Sequence, residues 1–329
     1  MKISIYDTKL NRIAIIDNHF VSVYWLEGFN SKGIFTLELQ NQDEYKQIIK
    51  NDYYVGRSDR KTLMVINHVE IVKNKIIASG MTADRVFQDV AMIGTVNSYQ
   101  YIDKRIKELY NNSDKIDSVE FAETDIGVKA SMQISNDDFQ NVALTLAQKN
   151  NIGFRAVKGD GVVEGEFYLP KPNGSIFAEK YGNLILDRLI MSVDNYKNYA
   201  VVLGEGEGEN RRRVDVDLSD GQERKRQLVV DARDLLRGEN ETDEEYDQRL
   251  FDRGVSKLIS YPKGLSVGIQ VPSEEFGVSY DLGDKVTAIL DDYGLKIQTY
   301  IARFSQKEQY NTTTTIVEVG DIIFLRSPK

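Results

Sequence analysis

The chain has 329 residues, of which 41% are hydrophobic and 28% are charged, a balance typical of a folded globular protein rather than a disordered one. Its formal net charge of -9 at pH 7 provides no global positive field to hold a phosphate backbone, so sequence-specific nucleic-acid binding is disfavoured. The absence of cysteine excludes disulfides, thiolate nucleophiles and thiolate metal sites.

Residues 1–95 show the two-residue period of short β-strands. Ile3 and Ile5 alternate with polar residues in KISIY, and Phe35, Leu37 and Leu39 share a face in GIFTLELQ. The short apolar segments RIAII, TLMVINHVEIV and KIIASGM complete the set. Several short strands at close spacing favour a small barrel or sandwich over a βαβ unit. We therefore predict a first β-barrel lobe over residues 1–95.

Residues 96–190 change to a helical period before strands return. Apolar residues recur at helical spacing near residues 98–110 and 136–149, and Ser135 with Asp138 suggests an N-cap for the second helix. The segments IGFRAV and VVEGEFYL then alternate as strands do. This region is predicted to be an α/β insertion.

Residues 191–329 predict a second β-barrel lobe. In RVDVDL the apolar residues occupy one face of a strand, and Asp220 with Gly221 predicts a hairpin turn into RKRQLVVDA. Later segments are again strand-like, namely LSVGIQV, YDLGDKVTAIL, LKIQTYIARF, TTTTIVEVG and DIIFL, with a tight turn at DDYG. The overall prediction is an α+β, mainly β fold with two small β-barrel lobes and α/β insertions.

A single amphipathic helix near residues 243–261 is predicted to interrupt the second lobe. Thr242 and Glu245 have the spacing of a capping box, and acidic residues crowd the first turn, where the helix dipole favours them. The predicted buried stripe comprises Tyr246, Leu250, Phe251, Val255 and Leu258.

The stretch VVLGEGEGENRRRVDVDL raises the question of a ligand loop. A dinucleotide site needs G-x-G-x-x-G at the start of a helix, whereas the glycines of residues 204–208 are spaced G-x-G-x-G, precede a strand and alternate with repelling glutamates. A calcium loop counted from Asp215 would need glycine sixth and glutamate twelfth, but Gly221 is seventh and Arg226 is twelfth. We predict a turn that needs backbone freedom.

Other chemically capable side chains are isolated. His19 and His68 each lack a second histidine at ligand spacing, no G-x-S-x-G elbow is present, and no carboxylate pair stands out. Trp25 lies in an apolar strand, which favours core packing over sugar stacking. We therefore assign no catalytic, cofactor-binding or metal residue and expect no cofactor.

No apolar run approaches the roughly 18 residues of a membrane-spanning helix, so we expect no transmembrane segment. The charged residues of MKISIYDTKLNRIAIID argue against a signal peptide, and we expect synthesis in a cytosol.

Six stretches, taken in order, resemble the tail-hub proteins of siphophages and prophages of Gram-positive bacteria. They are IYDTKLNRIAIID, GIFTLEL, DYYVGRSD, VVLGEGEGENRRR, YDQRLFDRGVSKL and YDLGDKVTAIL. The resemblance spans nearly the whole chain and rests on the order and spacing of these motifs.

The resemblance implies a tail-hub-like homotrimer, in which three chains present six similar barrels to a six-fold tail tube. It implies a virion protein of the tail tip, assembled in the host cytoplasm. The implied partners are the distal tail protein, the tail tube and the tape-measure protein, with DNA passing through the channel. It also implies that strands of about 190–235 join those after about 265 in the second barrel.

No enzymatic activity is expected. Many relatives continue into a receptor-binding or cell-wall-degrading region, whereas this chain ends at Lys329, so we expect a hub alone. The alternatives are a cell-wall hydrolase and a carbohydrate-binding receptor protein of the tail.

Overall fold

A computed structural model describes residues 2–17, 19–219, 221, 224–238, 241–261, 264–310 and 312–320. The chain divides into two compact units. The first comprises Met1–Asp187 with Gly268–Lys329, and the second is Arg188–Val267. The prediction of a mainly β fold is confirmed, whereas closed barrels and the three-part division of the chain stay predictions.

The N-terminal part of the first unit consists of antiparallel strands. Its described elements are β1 (Lys2–Tyr6), β2 (Arg12–Asp17), β3 (Ser22–Gly28), β4 (Ser31–Gln40), α1 (Asp43–Ile48), β5 (Tyr54–Arg57), β6 (Leu63–Val72) and β7 (Lys75–Thr82). The strands pair in the order β3–β4–β7–β6–β5–β1–β2. Buried positions alternate along β3 and through most of β4, as a sheet with one face on the core requires. The strands predicted from the two-residue period are confirmed.

The middle of the chain adds helices and small sheets. Its elements are β8 (Ala91–Tyr101), α2 (Ile102–Asn111), β9 (Val119–Phe121), β10 (Lys129–Asp138), α3 (Phe139–Lys149), β11 (Gly153–Lys158), β12 (Val163–Tyr168), β13 (Pro172–Ala178) and β14 (Ile185–Ser192). The strands β8 and β10 form a ribbon, and β11–β12–β9 form a separate sheet.

Both predicted helices of this region exist, but their starts were placed too early. The helix predicted from residue 98 begins at Ile102, because β8 continues to Tyr101, which pairs with Lys129. The helix predicted from residue 136 begins at Phe139. Its N-cap is Asp138, whose Oδ1 accepts a hydrogen bond from the backbone N–H of Asn141 at 2.8 Å.

An aromatic core packs α2 and α3 against the β11–β12–β9 sheet. The rings of Phe87, Tyr110, Phe121, Phe139, Phe154 and Phe167 are all buried. Phe121 lies at the centre, with ring centroids 4.4 Å from Phe87 and 5.2 Å from Tyr110. Buried aromatic pairs at such distances stabilise a core beyond their area alone.

The second unit is a small sheet covered by one helix. Its main elements are β15 (Tyr199–Leu203), β16 (Arg213–Asp217), β17 (Gln227–Asp231) and α4 (Asp243–Ile259). The strand β15 is central and pairs antiparallel with β16 and parallel with β17. The hairpin predicted at Asp220 and Gly221 is wrong, because β16 and β17 lie on opposite sides of β15; Asp220 itself lies outside the described residues.

The pairing of β15, β16 and β17 corrects a second expectation. Strands of about 190–235 were expected to join those after about 265. This holds at the start of the range, where β14 pairs with β18, but β15, β16 and β17 form a sheet of their own. The parallel partner of β15 is β17, which lies in the same unit. This small sheet therefore uses no strand from after residue 265.

The capping box of α4 is confirmed. The Thr242 hydroxyl accepts from Glu245 N at 3.3 Å, and Glu245 Oε2 accepts from Thr242 N at 2.9 Å. Tyr246, Leu250 and Leu258 of the predicted stripe are buried and Val255 is half-buried. Phe251 is 37% exposed, because it lies one helical step away from Leu250 and off the buried face.

The C-terminal strands complete the sheet of the first unit. They are β18 (Gly264–Val271), β19 (Lys285–Leu290), β20 (Leu295–Gln309) and β21 (Thr312–Val319). The strand β20 pairs with β3, from Arg303 opposite Gly28 to Gln309 opposite Ser22. One sheet therefore runs β18–β21–β20–β3–β4–β7–β6–β5–β1–β2. The predicted DDYG turn is present, whereas the strand predicted at DIIFL lies outside the described residues.

Candidate functional site

The residues considered from the sequence lie apart in the structure. His19 and His68 are exposed, and His19 Nδ1 lies 2.6 Å from the carbonyl oxygen of Asp17. Trp25 is 0% exposed, so its predicted packing role is confirmed. Among the described residues, no three histidine or carboxylate side chains are grouped to hold a metal ion. Nor does any helix in the described ranges have the length and apolar content needed to cross a membrane.

The glycine-rich stretch forms a turn between β15 and β16. Gly206 and Gly208 have φ angles of 111° and 56°, in the positive range that residues other than glycine rarely adopt. A Cβ on Gly204 would lie 2.6 Å from the Tyr246 hydroxyl, so that glycine allows a close approach of the chain to α4. The predicted need for backbone freedom is confirmed.

The three consecutive arginines after this turn bind groups within the second unit. Arg211 donates to the carbonyl oxygen of Gly204 at 2.9 Å and to Asp231 at 2.7 Å. Arg212 forms two hydrogen bonds with Asp247, at 2.6 and 2.5 Å, and Arg213 binds Asp215 at 2.8 Å.

Ion-paired carboxylates of the second unit are held in the charged form, among them Asp231, which binds Arg211, and Asp217, which binds Lys225. Hydrogen bonds from Arg233 and Arg211 lower the pKa of Asp231 below its usual range. Hydrogen bonds from Lys225 and Ser219 lower the pKa of Asp217 to about 2. The arginines are thus matched by internal charges, and the pattern is that of a self-neutralised surface rather than a phosphate site.

The first unit contains an ion cluster in which Arg60 and Glu27 are buried and Asp281 is half-exposed. Arg60 donates to both carboxylate oxygens of Glu27, at 2.9 and 3.1 Å, and to Asp281 at 2.9 Å. The Arg60 and Glu27 side chains are only 8% and 2% exposed. Although burial opposes it, the charges of Glu27 and Asp281 raise the pKa of Arg60 above its ordinary value.

Neighbouring side chains complete the cluster. Glu27 also accepts from Trp25 Nε1 at 2.7 Å, so each buried charge has directed partners. Arg57 binds Asp59 and Gln306, and its guanidinium lies 5.5 Å from the Trp25 ring. Side chains from β3, β5 and β20 and from the segment before β19 therefore meet at one point.

The cavity beside this cluster is too small for a substrate. Its volume of about 20 Å³ is close to that of one water molecule. It is lined in part by Glu27, Arg60, Asp84 and Tyr168. Asp84 is buried and accepts from Gln140 Nε2 at 2.7 Å, and burial raises its pKa. These carboxylates join segments of the fold and leave no room for a saccharide between them.

A larger, open cavity of about 490 Å³ lies on the first unit. We call it the tyrosine groove. It is lined by His19, Phe20, Val21, Gln40, Gln42, Glu44, Tyr45, Glu308 and Tyr310. Sequence reasoning singled out only His19 among them, because the groove combines a loop, a helix and a turn that are distant along the chain.

Comparison with known proteins relates both sequence and fold to bacteriophage proteins. A family described as Siphovirus ReqiPepy6 Gp37-like protein matches residues 112–321, more than half of the chain. No curated protein sequence is significantly similar to the chain.

Solved prophage and bacterial tail proteins share the fold. Prophage tail protein gp18 from Listeria monocytogenes EGD-e has 13% identity and a TM-score of 0.59, over 98% of this chain and 94% of that one. The 43 kDa tail protein of prophage MuSo2 from Shewanella oneidensis has 15% identity and a TM-score of 0.58, over 97% and 98%. The tail protein from Neisseria meningitidis MC58 has 13% identity and a TM-score of 0.57, over 97% and 96%.

Proposed function

We infer the function from one premise: the chain belongs to the Siphovirus ReqiPepy6 Gp37-like protein family. The siphophage family expected from the order of the motifs is thereby confirmed. We propose that the protein is a structural tail-tip, or baseplate hub, protein of a phage or prophage. It closes the tail tube and forms a ring around the DNA exit channel during host attachment and genome delivery.

The observation that carries this proposal is the extent of the shared fold. The solved tail proteins match this chain over nearly their whole length and over nearly all of its own. The likeness therefore concerns the complete arrangement of strands and insertions rather than one common motif.

We propose that the working form is a homotrimer in the virion tail tip, assembled in the host cytoplasm. Its proposed partners are the distal tail protein, the tail tube and the tape-measure protein. Two barrel lobes in each chain, one within residues 1–95 and one within 191–329, would give the trimer six similar barrels to match a six-fold tube.

We propose further that the channel is acidic or neutral. The net charge of -9 is compatible with a lumen that carries few lysines and arginines, which would displace few counterions from DNA and bind it little. An arginine-rich lumen in an assembled ring would contradict this.

The experiment that tests the role is immunogold electron microscopy of particles that carry this chain. Antibodies against the purified protein are expected to label the end of the tail distal to the head. Label on the head, along the tail tube or nowhere on intact particles would reject the proposal.

A cell-wall hydrolase is the alternative that a simple assay separates. The protein is incubated with purified peptidoglycan, and released soluble fragments are measured against a lysozyme control. A hub alone releases none, in keeping with the small cavity at the buried carboxylates.

A further inference from the structure

The tyrosine groove has the size of a small-molecule site. Its volume of about 490 Å³ lies within the range of about 300–1,000 Å³ usual for ligand pockets. Its walls come from the β2–β3 connection, the segment from the end of β4 into α1, and the β20–β21 turn. All of these belong to the first compact unit.

Aromatic rings form one part of its lining. Tyr310 is 80% exposed, and its φ angle of 48° places a non-glycine residue in the left-handed region. A large side chain rarely occupies that region, because it costs free energy. The turn therefore presents an aromatic ring to solvent at a position where glycine would be less strained. Tyr45 and Phe20 supply further rings.

Hydrogen bonds hold the base of the groove in place. The Tyr45 hydroxyl donates to the carbonyl oxygen of His19 at 3.5 Å, and its backbone N–H donates to Gln42 O at 3.2 Å. Gln42 Nε2 donates to Gln40 Oε1 at 3.1 Å. These contacts connect α1 to the β2–β3 connection and orient two amides in the same wall.

The polar groups of the lining suit hydroxyl groups. The amides of Gln40 and Gln42 supply both donors and acceptors, and the carboxylates of Glu44 and Glu308 supply acceptors. Lysine and arginine are absent from the described residues that line the groove. One lysine close to the groove, Lys75, lies opposite Gln40 in the sheet and is already paired with Glu38 at 2.8 Å. Phosphate, sulfate and other anions would therefore meet the carboxylates with no lysine or arginine in the described lining to compensate.

We propose that the tyrosine groove binds a neutral saccharide. A sugar presents an apolar face, which an aromatic ring covers, and a rim of hydroxyls, which amides and carboxylates bind. Tyr310 and Tyr45 stack against the sugar ring, and Gln40, Gln42 and Glu44 bind its hydroxyls. This inference does not depend on the tail-tip role.

The test uses the purified full chain and a panel of defined ligands. Saturation-transfer NMR and calorimetry are run with an N-acetylglucosamine tetrasaccharide, maltotetraose and a galactose tetrasaccharide, with choline as a cationic ligand. At least one saccharide is expected to bind with a dissociation constant below about 1 mM. Binding of none of the saccharides, or of choline alone, overturns the proposal.

Two matched variants locate the site. Tyr310→Ala is expected to weaken saccharide binding about tenfold or more, because it removes a stacking surface from an exposed turn. Tyr293→Ala removes another exposed tyrosine, from the turn before β20 that does not line the groove, and is expected to leave binding unchanged. Circular dichroism confirms that both variants are folded. Equal effects of the two substitutions, or no effect of Tyr310→Ala, would refute the assignment.

Discussion

Arg60 links parts of the chain that lie far apart in sequence. It binds Glu27 in β3 and Asp281 before β19, and both of its carboxylate partners come from segments separated from it by many residues. Removing one member of a buried ion pair leaves an uncompensated charge in a poorly solvated place. The cluster is therefore more sensitive to losing one partner than to losing both.

Arg60→Met is expected to lower the free energy of unfolding by about 3–5 kcal/mol, because the Glu27 carboxylate remains buried without its cation. The double variant Glu27→Gln/Arg60→Met is expected to lose less than Arg60→Met alone. Urea denaturation followed by circular dichroism measures both. A double variant as unstable as Arg60→Met alone, or less stable, would contradict this account.

Arg303→Met serves as the control for this series. Its guanidinium lies 3.9 Å from Glu318, and its side chain is 61% exposed. Solvent screens such a pair, so the expected loss is below about 1 kcal/mol.

Asp84 makes the stability of the fold depend on pH. Burial raises its folded pKa above the unfolded value of about 3.9, despite hydrogen bonds from Thr82 and Gln140. Its contribution is therefore unfavourable above the folded pKa and disappears below the unfolded pKa. The free energy of unfolding should decrease as pH rises from about 4 through the raised pKa.

Asp84→Asn should flatten this decrease and leave the protein at least as stable as wild type at pH 7, since the amide oxygen still accepts from Gln140. Each tenfold difference between the ionisation constants of Asp84 in the folded and unfolded states changes the free energy of unfolding by about 1.4 kcal/mol. Asp114→Asn changes an exposed carboxylate and should retain the wild-type profile. Urea denaturation at pH 4 to 8 measures the free energy of unfolding of each variant. A decrease with pH in Asp84→Asn as steep as in wild type would contradict the role of Asp84.

At the scale of single elements, Gly254 controls how closely α4 approaches its sheet. A Cβ at this position would lie 2.6 Å from Val216 Cγ2 and 2.7 Å from Val202 Cγ2. Glycine within a helix costs about 1 kcal/mol relative to alanine, so sequence preference alone favours replacement. The close contact with Val202 of β15 and Val216 of β16 opposes this replacement.

Gly254→Ala is expected to destabilise the second unit by about 1–2 kcal/mol, because overpacking of about 1–3 kcal/mol outweighs the gain in helix propensity. Ser256→Ala is exposed on the same helix and should be neutral or slightly stabilising. Denaturant midpoints of the two variants are compared. Stabilisation by Gly254→Ala would show that the helix can move away without cost.

Local patterns predicted the elements better than their ends. The capping box of α4 could be recognised because all its hydrogen bonds join residues three apart in sequence. The start of α2 could not, because residues 98–101 are drawn into β8 by pairing with β10, about thirty residues later. Likewise, the Asp220–Gly221 sequence indicated that the chain reverses before β17. It could not show that β17 would pair with β15 rather than with β16.

At the scale of the whole molecule, the join between β3 and β20 lay beyond sequence reasoning. Gln306 pairs with Trp25 across a separation that no local period reports. Two of the motifs that carried the family resemblance do contain Arg57 and Asp281. The two buried members of the cluster, Glu27 and Arg60, lie outside these motifs, and their pairing could not be assigned from the sequence.

The division into two units leads to a prediction about fragments. Residues 188–267 form a contiguous stretch with a hydrophobic core of their own, which includes Val202, Val216, Tyr246 and Leu250. A fragment of residues 188–267 is therefore expected to fold alone. In contrast, a fragment of residues 191–329, the lobe predicted from the sequence, separates β20 from β3 and Asp281 from Arg60. Its exposed strand edge and unpaired charge should prevent a cooperative fold.

Cooperative urea unfolding and dispersed amide NMR signals are the measurements for both fragments. Small domains are marginally stable, so Leu250→Ala, a loss of about 2–5 kcal/mol, should unfold the shorter fragment. Ser256→Ala in the same fragment should leave it folded. Cooperative folding of residues 191–329 without folding of residues 188–267 would contradict this prediction. The folding unit would then be the second lobe, and the core of β15, β16, β17 and α4 would depend on the later strands.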